Sequence, residues 1–254
     1  MTFANCYEDN ARAEAYATLE FKNTYHLAYR DIPAILAEHV RGPKSLDFGC
    51  GAGRSTRFLR QLGFEVTGVD IAEYMIRKAR ELDPSGDYHL VPGDDLGAFQ
   101  CGTYDLVLAA FTFDNIAGRE NKVRILRDLG RLLNRGAKLV LIVSRPEIYT
   151  HEWASFSTKD FPENRAAKSG DKVRIIVTDH ADARPVEDIV WSDESYREVF
   201  EEARLRLVQK REPLARGDEP YSWGSEVEVA PWAVYVLEVG QPRSYQQCPI
   251  TSIM

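Results

Sequence analysis

Apolar side chains at Tyr16, Leu19, Leu27, Ile32, Ile35, Leu36 and Val40 recur on one intermittent face between Ala11 and Val40. That spacing predicts helix, and Pro33 is placed to open a second one. The pattern then changes to strand, glycine turn and helix: a short run over 45–48, the string DFGCGAG, and RSTRFLRQL closed by Gly63. A strand over 65–69 ends at Asp70, and a helix over 72–83 puts Ala72, Met75, Ile76 and Ala79 on one face before Pro84, Ser85 and Gly86 stop it. A weak strand over 88–91 precedes PGDDL, and the nearly continuous apolar run over 104–111 suits a central parallel strand. Helix over 124–133 and strand over 137–143 follow across the turn Asn134-Arg135-Gly136.

Strands alternating with helices across short connections imply right-handed βαβ units, hence a doubly wound, mostly parallel α/β sheet. After Val143 this rhythm lapses, and 144–188 holds aromatics, charges and one convincing strand over 173–177. It resumes with helix over 193–205 and strands over 206–211 and 232–239. The expected organisation is therefore a helical lid over 1–42, an α/β domain from 43–143 and 189–240, an inserted substrate cap over 144–188 and a loosely attached tail over 241–254.

Composition narrows the class without changing the fold. In 254 residues, 44% are hydrophobic and 28% charged, which fits an ordinary globular chain and excludes general disorder. A formal charge of −7 argues against a broad phosphate-binding surface, so a small-molecule partner is expected rather than nucleic acid. No apolar stretch approaches a membrane span and the start MTFANCYEDNARAEAY has no signal-peptide pattern, which makes the cytosol the default. Cys6, Cys50, Cys101 and Cys248 show no CxxC pairing, so free thiols are expected and no metal site. Monomer and homodimer both stay open.

The candidate chemistry centres on the first turn. Gly49, Gly51 and Gly53 directly follow a strand and precede a helix, where a missing Cβ allows a tight turn and close approach of a ligand. A dinucleotide fingerprint needs its third glycine at the position held here by Arg54, so the spacing disfavours NAD. Asp47, two residues before the first glycine, can accept from an ammonium or from loop amides, whereas it would repel a pyrophosphate. Cys50 supplies a small side chain beside the ligand and is not required to react.

With these residues the chain resembles the class I S-adenosylmethionine-dependent methyltransferases, whose first motif is an acidic residue followed by GxGxG, matched by Asp47, Gly49, Gly51 and Gly53. The resemblance implies S-adenosyl-L-methionine as cofactor, sheet order 3-2-1-4-5-7-6 with the last strand antiparallel, and in-line methyl transfer to oxygen, nitrogen or carbon of a small acceptor. It places Asp70 on the ribose hydroxyls and Asp94 or Asp95, followed by Leu96, at the adenine. It also sets Ala110 and Phe111 beside the cofactor. Ile71 and Met75 either flank adenine or belong to the core. Tyr25 and Arg30, on a lid helix with His26 and Tyr29, could bring a phenol or guanidinium to the methionine carboxylate. His151 is the candidate general base, with His180 and His26 behind it, because imidazole titrates near neutral pH. Two other readings stand beside this one: a nicotinamide-dependent oxidoreductase on the same turn, and a non-catalytic binding module that kept the fold.

Overall fold

The computed structural model describes residues 10–92 and 95–240, with the side chains of residues 10–13 left aside. Three short helices come first, α1 (Asn10–Ala17), α2 (Thr24–Arg30) and α3 (Ile32–His39), in place of the long helical stretch expected. Pro33 lies in the first turn of α3, where its missing N–H costs nothing. The core follows as β1 (Lys44–Phe48), α4 (Arg54–Gln61), β2 (Glu65–Asp70), α5 (Glu73–Leu82), β3 (Asp87–Leu90), β4 (Tyr104–Ala110), α6 (Arg119–Leu132) and β5 (Leu133–Ser144). Strands β6 (Phe156–Ser157), β7 (Lys172–Val177) and β8 (Val186–Ile189) precede α7 (Asp193–Glu202), β9 (Leu205–Arg211) and β10 (Trp232–Val239).

Seven strands form one sheet in the order β3-β2-β1-β4-β5-β10-β9, with β10 antiparallel to both neighbours and the other pairings parallel. This is the order implied by the resemblance. Alternation along the strands assigns the faces. Val107 and Ala109 of β4, Leu139 and Leu141 of β5, and Tyr235 of β10 pack with α6 and α7 through Val123, Leu126, Val199 and Phe200. Leu106, Leu108, Val140, Ile142 and Val236 point the other way, onto Leu27, Ile35, Leu36 and Leu59 of α2, α3 and α4. Both faces being covered explains why these strands read as continuous apolar runs.

Three local differences have physical causes. Helix α6 runs straight into β5, and the expected turn Asn134-Arg135-Gly136 is a break of register inside that strand, between the pairings Tyr104↔Leu133 and Leu106↔Lys138, with Gly136 at φ 80°. The insertion holds a three-stranded antiparallel sheet, β6-β7-β8, where only β7 was expected. β6 has two residues and β8 four, too few for a periodic signal. Cys50 is a free, buried thiol, whereas Cys101 is disulfide-bonded, which corrects the expectation of free thiols throughout.

The parallel register aligns the carboxyl ends of β1, β2 and β4: Asp47 lies beside Gly68 and Leu108, and Phe48 beside Val69. The chain order reverses between β1 and β4, and this switch point is where open α/β sheets hold ligands. Among the described residues, no helix is long and apolar enough to cross a membrane.

Candidate active site

At this switch point a cavity of about 200 Å³ opens over the glycine turn. Gly49, Gly51 and Gly53 have φ of 74°, 52° and 81°, the left-handed region that other residues enter at a cost. Two of them also have no room: a Cβ on Gly49 would meet Thr112 Oγ1 at 2.2 Å, and one on Gly53 the Tyr88 hydroxyl at 2.5 Å. Gly51 differs, because a Cβ there would meet nothing within 4 Å and Gly51 lines the cavity. Gly49 and Gly53 shape the turn, and the bare backbone of Gly51 faces space.

The acids behind and beside the turn are tied to it differently. Asp47 is fully buried, and its Oδ2 accepts from the Ser55 and Thr56 hydroxyls, each at 2.6 Å, so it grips the first turn of α4 rather than loop amides. Among the described residues its Oδ1 has no hydrogen-bond partner, and burial, with the neighbouring Asp70 adding to it, pushes the carboxyl up to about 6. Asp70 accepts the Gly51 amide on one oxygen and the Ala72 amide on the other, both at 2.8 Å, and lines the cavity. Burial raises its pKa while those amides oppose the rise. Burial likewise pushes the Cys50 thiol well up, so this cavity-lining cysteine is a space-filler rather than a nucleophile.

The remaining wall comes from four elements. Ile71, 39% exposed, and Met75, buried, line the cavity on the β2–α5 side. Ala110, Phe111, Thr112 and Asn115 line it at the end of β4, where Phe111 takes φ 63° yet still donates its amide to Ile142 O. From the opening helices come Tyr16, Ala17 and Tyr29. Arg54, at the start of α4, also lines it, with its guanidinium 4.8 Å from the Tyr25 ring and 5.3 Å from Phe21.

Several expected residues lie elsewhere. His151 is held with Nδ1 3.0 Å from Glu147 O and 3.1 Å from Thr150 Oγ1, and it does not line the cavity. Tyr25 is buried between Phe111, Phe156 and Trp232 behind the cavity wall. Arg30 is engaged outside the cavity by Asp31 and Glu219. Asp95 is exposed and its Oδ1 accepts the Gly97 amide, the geometry of a turn former, while Leu96 is packed into the core; Asp94 lies outside the described residues. Arg54 is an addition to the residues expected at the cavity: its signal in the sequence is a cation directly after the third glycine, at the position where a dinucleotide fingerprint needs a glycine.

Residues 46–141 match the model of a family described as a methyltransferase domain. Over these residues, which run from β1 to β5, the chain is similar to a methyltransferase domain. A ubiquinone biosynthesis O-methyltransferase of Xanthomonas oryzae is 33% identical over 106 residues, 40% of this chain and 43% of that relative, so the match spans less than half of its length. An N-demethylindolmycin N-methyltransferase of Streptomyces griseus is 26% identical across 79% of this chain and 85% of its own. Among solved structures, an S-adenosylmethionine-dependent methyltransferase from Clostridium acetobutylicum superposes with a TM-score of 0.61 at 14% identity, over 93% of this chain and 100% of the other. The methyltransferase fold thus extends well beyond the matched residues, through β9 and β10.

Proposed function

We propose that the protein is a methyltransferase that moves the methyl group of S-adenosylmethionine to a small-molecule acceptor in the cytosol. The observation that carries this reading is Gly51, whose bare backbone faces an open cavity between Asp70 and Arg54. The residues fit the cofactor. Asp70 keeps one free lone pair on each oxygen after accepting its two amides, which suits a pair of ribose hydroxyls. Ile71 and Met75 flank the adenine. The Arg54 guanidinium takes the methionine carboxylate in place of Arg30, and the negative charge of Asp47, behind the turn with Oδ1 unpaired, favours the cationic end of the ligand. When bound, the cofactor supplies an electrophilic methyl group on a sulfonium. The protein's part is to hold acceptor and methyl group in line and to exclude water, which the helical lid and the cap over 144–188 do from either side.

The experiment is a calorimetric titration with S-adenosylhomocysteine and, separately, NADH. Saturable binding of S-adenosylhomocysteine is expected, lost in Gly51→Val because its side chain occupies the cavity. Saturable NADH binding without response to S-adenosylhomocysteine overturns the reading in favour of an oxidoreductase.

A further inference from the structure

Where β8 packs on the turn after β4, the interior holds a group of ionisable side chains that the cofactor does not use. Lys122 of α6 is fully buried, and its ammonium donates to Phe113 O. Its Nζ sits over the rings of Trp191, Tyr196 and Phe113, 5.0, 5.5 and 5.7 Å from their centroids. Asp114, also buried, belongs to the turn Thr112–Asn115, and its Oδ2 accepts the Ser144 hydroxyl at 2.8 Å and the Ser144 amide at 3.1 Å. Asp188 of β8 keeps some exposure and accepts the Tyr149 hydroxyl at 3.1 Å. Tyr149 in turn lies beside Ser144.

These groups are divided across a junction. Lys122 and Asp114 stand on the sheet side, whereas Asp188 stands on β8. The sheet side is also a wall of the cofactor cavity: Thr112 and Asn115, in the same turn as Asp114, both line it, and Thr112 Oγ1 donates to Phe48 O at 2.9 Å. Burial pushes both carboxyls up, with the Asp114 charge adding to the rise at Asp188, and it pushes the Lys122 ammonium down. Glu187 on β8 adds further negative charge, while Tyr149 and Tyr196, raised by burial, stay neutral. A rise in pH therefore ionises Asp188 opposite Asp114 and weakens the lysine's positive charge, so that two carboxylates repel across the junction in a low dielectric.

We propose that Asp188, Lys122 and Asp114 form a charge-dependent clasp, in which β8 seats the turn Thr112–Asn115 as a wall of the cofactor cavity while Asp188 is protonated and loosens it when Asp188 ionises. The inference rests on the methyltransferase reading above and adds a control on its cofactor affinity. All three are positioning residues that act through the turn. Because folding raises the Asp188 carboxyl, the stability it contributes is present at lower pH and is lost as pH rises through the folded value. Asp188 is the member with some exposure, so protons reach the clasp through it.

The test compares the full wild-type chain with Asp188→Asn, which keeps an acceptor for Tyr149 and cannot ionise. S-adenosylhomocysteine affinity is measured by calorimetry from about pH 6 to about pH 9, the range that brackets loss of the proton from the folded carboxyl. The amine of the ligand titrates alike against both proteins, so the ratio of their affinities isolates residue 188. That ratio is expected to be close to one at the acid end and about fivefold in favour of the variant at the alkaline end, the low end of coupling between linked sites. In urea unfolding without ligand, the wild type is expected to lose stability relative to the variant across the same range. Asp188→Ser, smaller and also neutral, is the second variant and is expected to give the same two profiles. A side chain with only a structural role changes affinity and stability by a constant amount. Ratios that do not vary with pH therefore overturn the inference, as does a pH-dependent stability difference with a flat affinity ratio. If the wild type does not bind S-adenosylhomocysteine at any pH, the methyltransferase reading fails instead, and the urea series still tests the clasp.

Discussion

At the scale of single residues the site is dominated by the cost of burying Asp47. Its carboxyl titrates near 6 in the folded chain against 3.8 as the ordinary value, chiefly because burial disfavours the charged form. A folded value above the unfolded one means that the native state holds an extra proton between about pH 4 and 6. Stability linked to Asp47 is therefore greatest at the acid end of that window and is lost as pH rises through about 6. The shift of about two pH units corresponds to about 3 kcal/mol. Asp47→Asn, which cannot ionise, is expected to remove this slope: in urea unfolding of the cofactor-free protein, the variant gains on the wild type between pH 4.5 and 7. Equal slopes for the two proteins would show that Asp47 does not carry the effect. The sequence places Gly49 and Gly51 at the mouth of the cavity because the β1–α4 turn is local in the chain, and Asp70 there because it ends the strand paired with β1. Arg54 sits in the same string and lines the cavity, whereas His151 and Arg30 lie off it, because residue type alone does not record where tertiary packing puts a side chain.

At the scale of elements, what matters is how the opening helices are fastened to the cap. Thr24, fully buried at the start of α2, donates to Glu226 Oε1 at 2.6 Å and accepts the Ser155 amide at 2.9 Å. Glu226, also buried, accepts the amides of Ala154 and Gly224 as well. One hydroxyl thus joins α2, the segment before β6 and the connection ahead of β10. Thr24→Val keeps the shape and removes the hydroxyl, leaving the Ser155 amide unpaired and Glu226 short of a donor. A loss of about 2–4 kcal/mol is expected in urea unfolding, at about 1–3 kcal/mol for each buried group left unsatisfied. A loss below about 0.5 kcal/mol would mean that water or a local shift replaces the clasp. None of this was readable beforehand, since its partners are separated by 131 and 202 residues. The βα repeats were readable because each helix packs on the strand next to it in sequence, and the amphipathic period records that packing.

For the molecule as a whole, the question is whether the cap and the α/β sheet unfold separately. Their packing argues for one unit. Val173, Ile175 and Val177 of β7 belong to the same buried cluster as Leu106 and Leu108 of β4 and Leu27 of α2, so loss of the cap would strip apolar surface from the sheet itself. The sequence suggested a cap by the lapse in rhythm after Val143, but it could not show this shared core, because the contacts join segments far apart in the chain. The four tryptophans, Trp153, Trp191, Trp223 and Trp232, all lie in the second half of the chain, in and beside the cap and on β10. Only Trp153 lies within 144–188, so the fluorescence of a variant with Trp191, Trp223 and Trp232 changed to Phe reports the cap, while far-UV circular dichroism is dominated by the helices of the α/β domain. The two melting curves are expected to coincide. S-adenosylhomocysteine at about 100 times its Kd should stabilise the native state by about 2.7 kcal/mol and raise both midpoints together by roughly 5–10 °C. A fluorescence transition that precedes the helical one, and that the ligand leaves unmoved, would show that the cap is an independent unit that the cofactor does not sense.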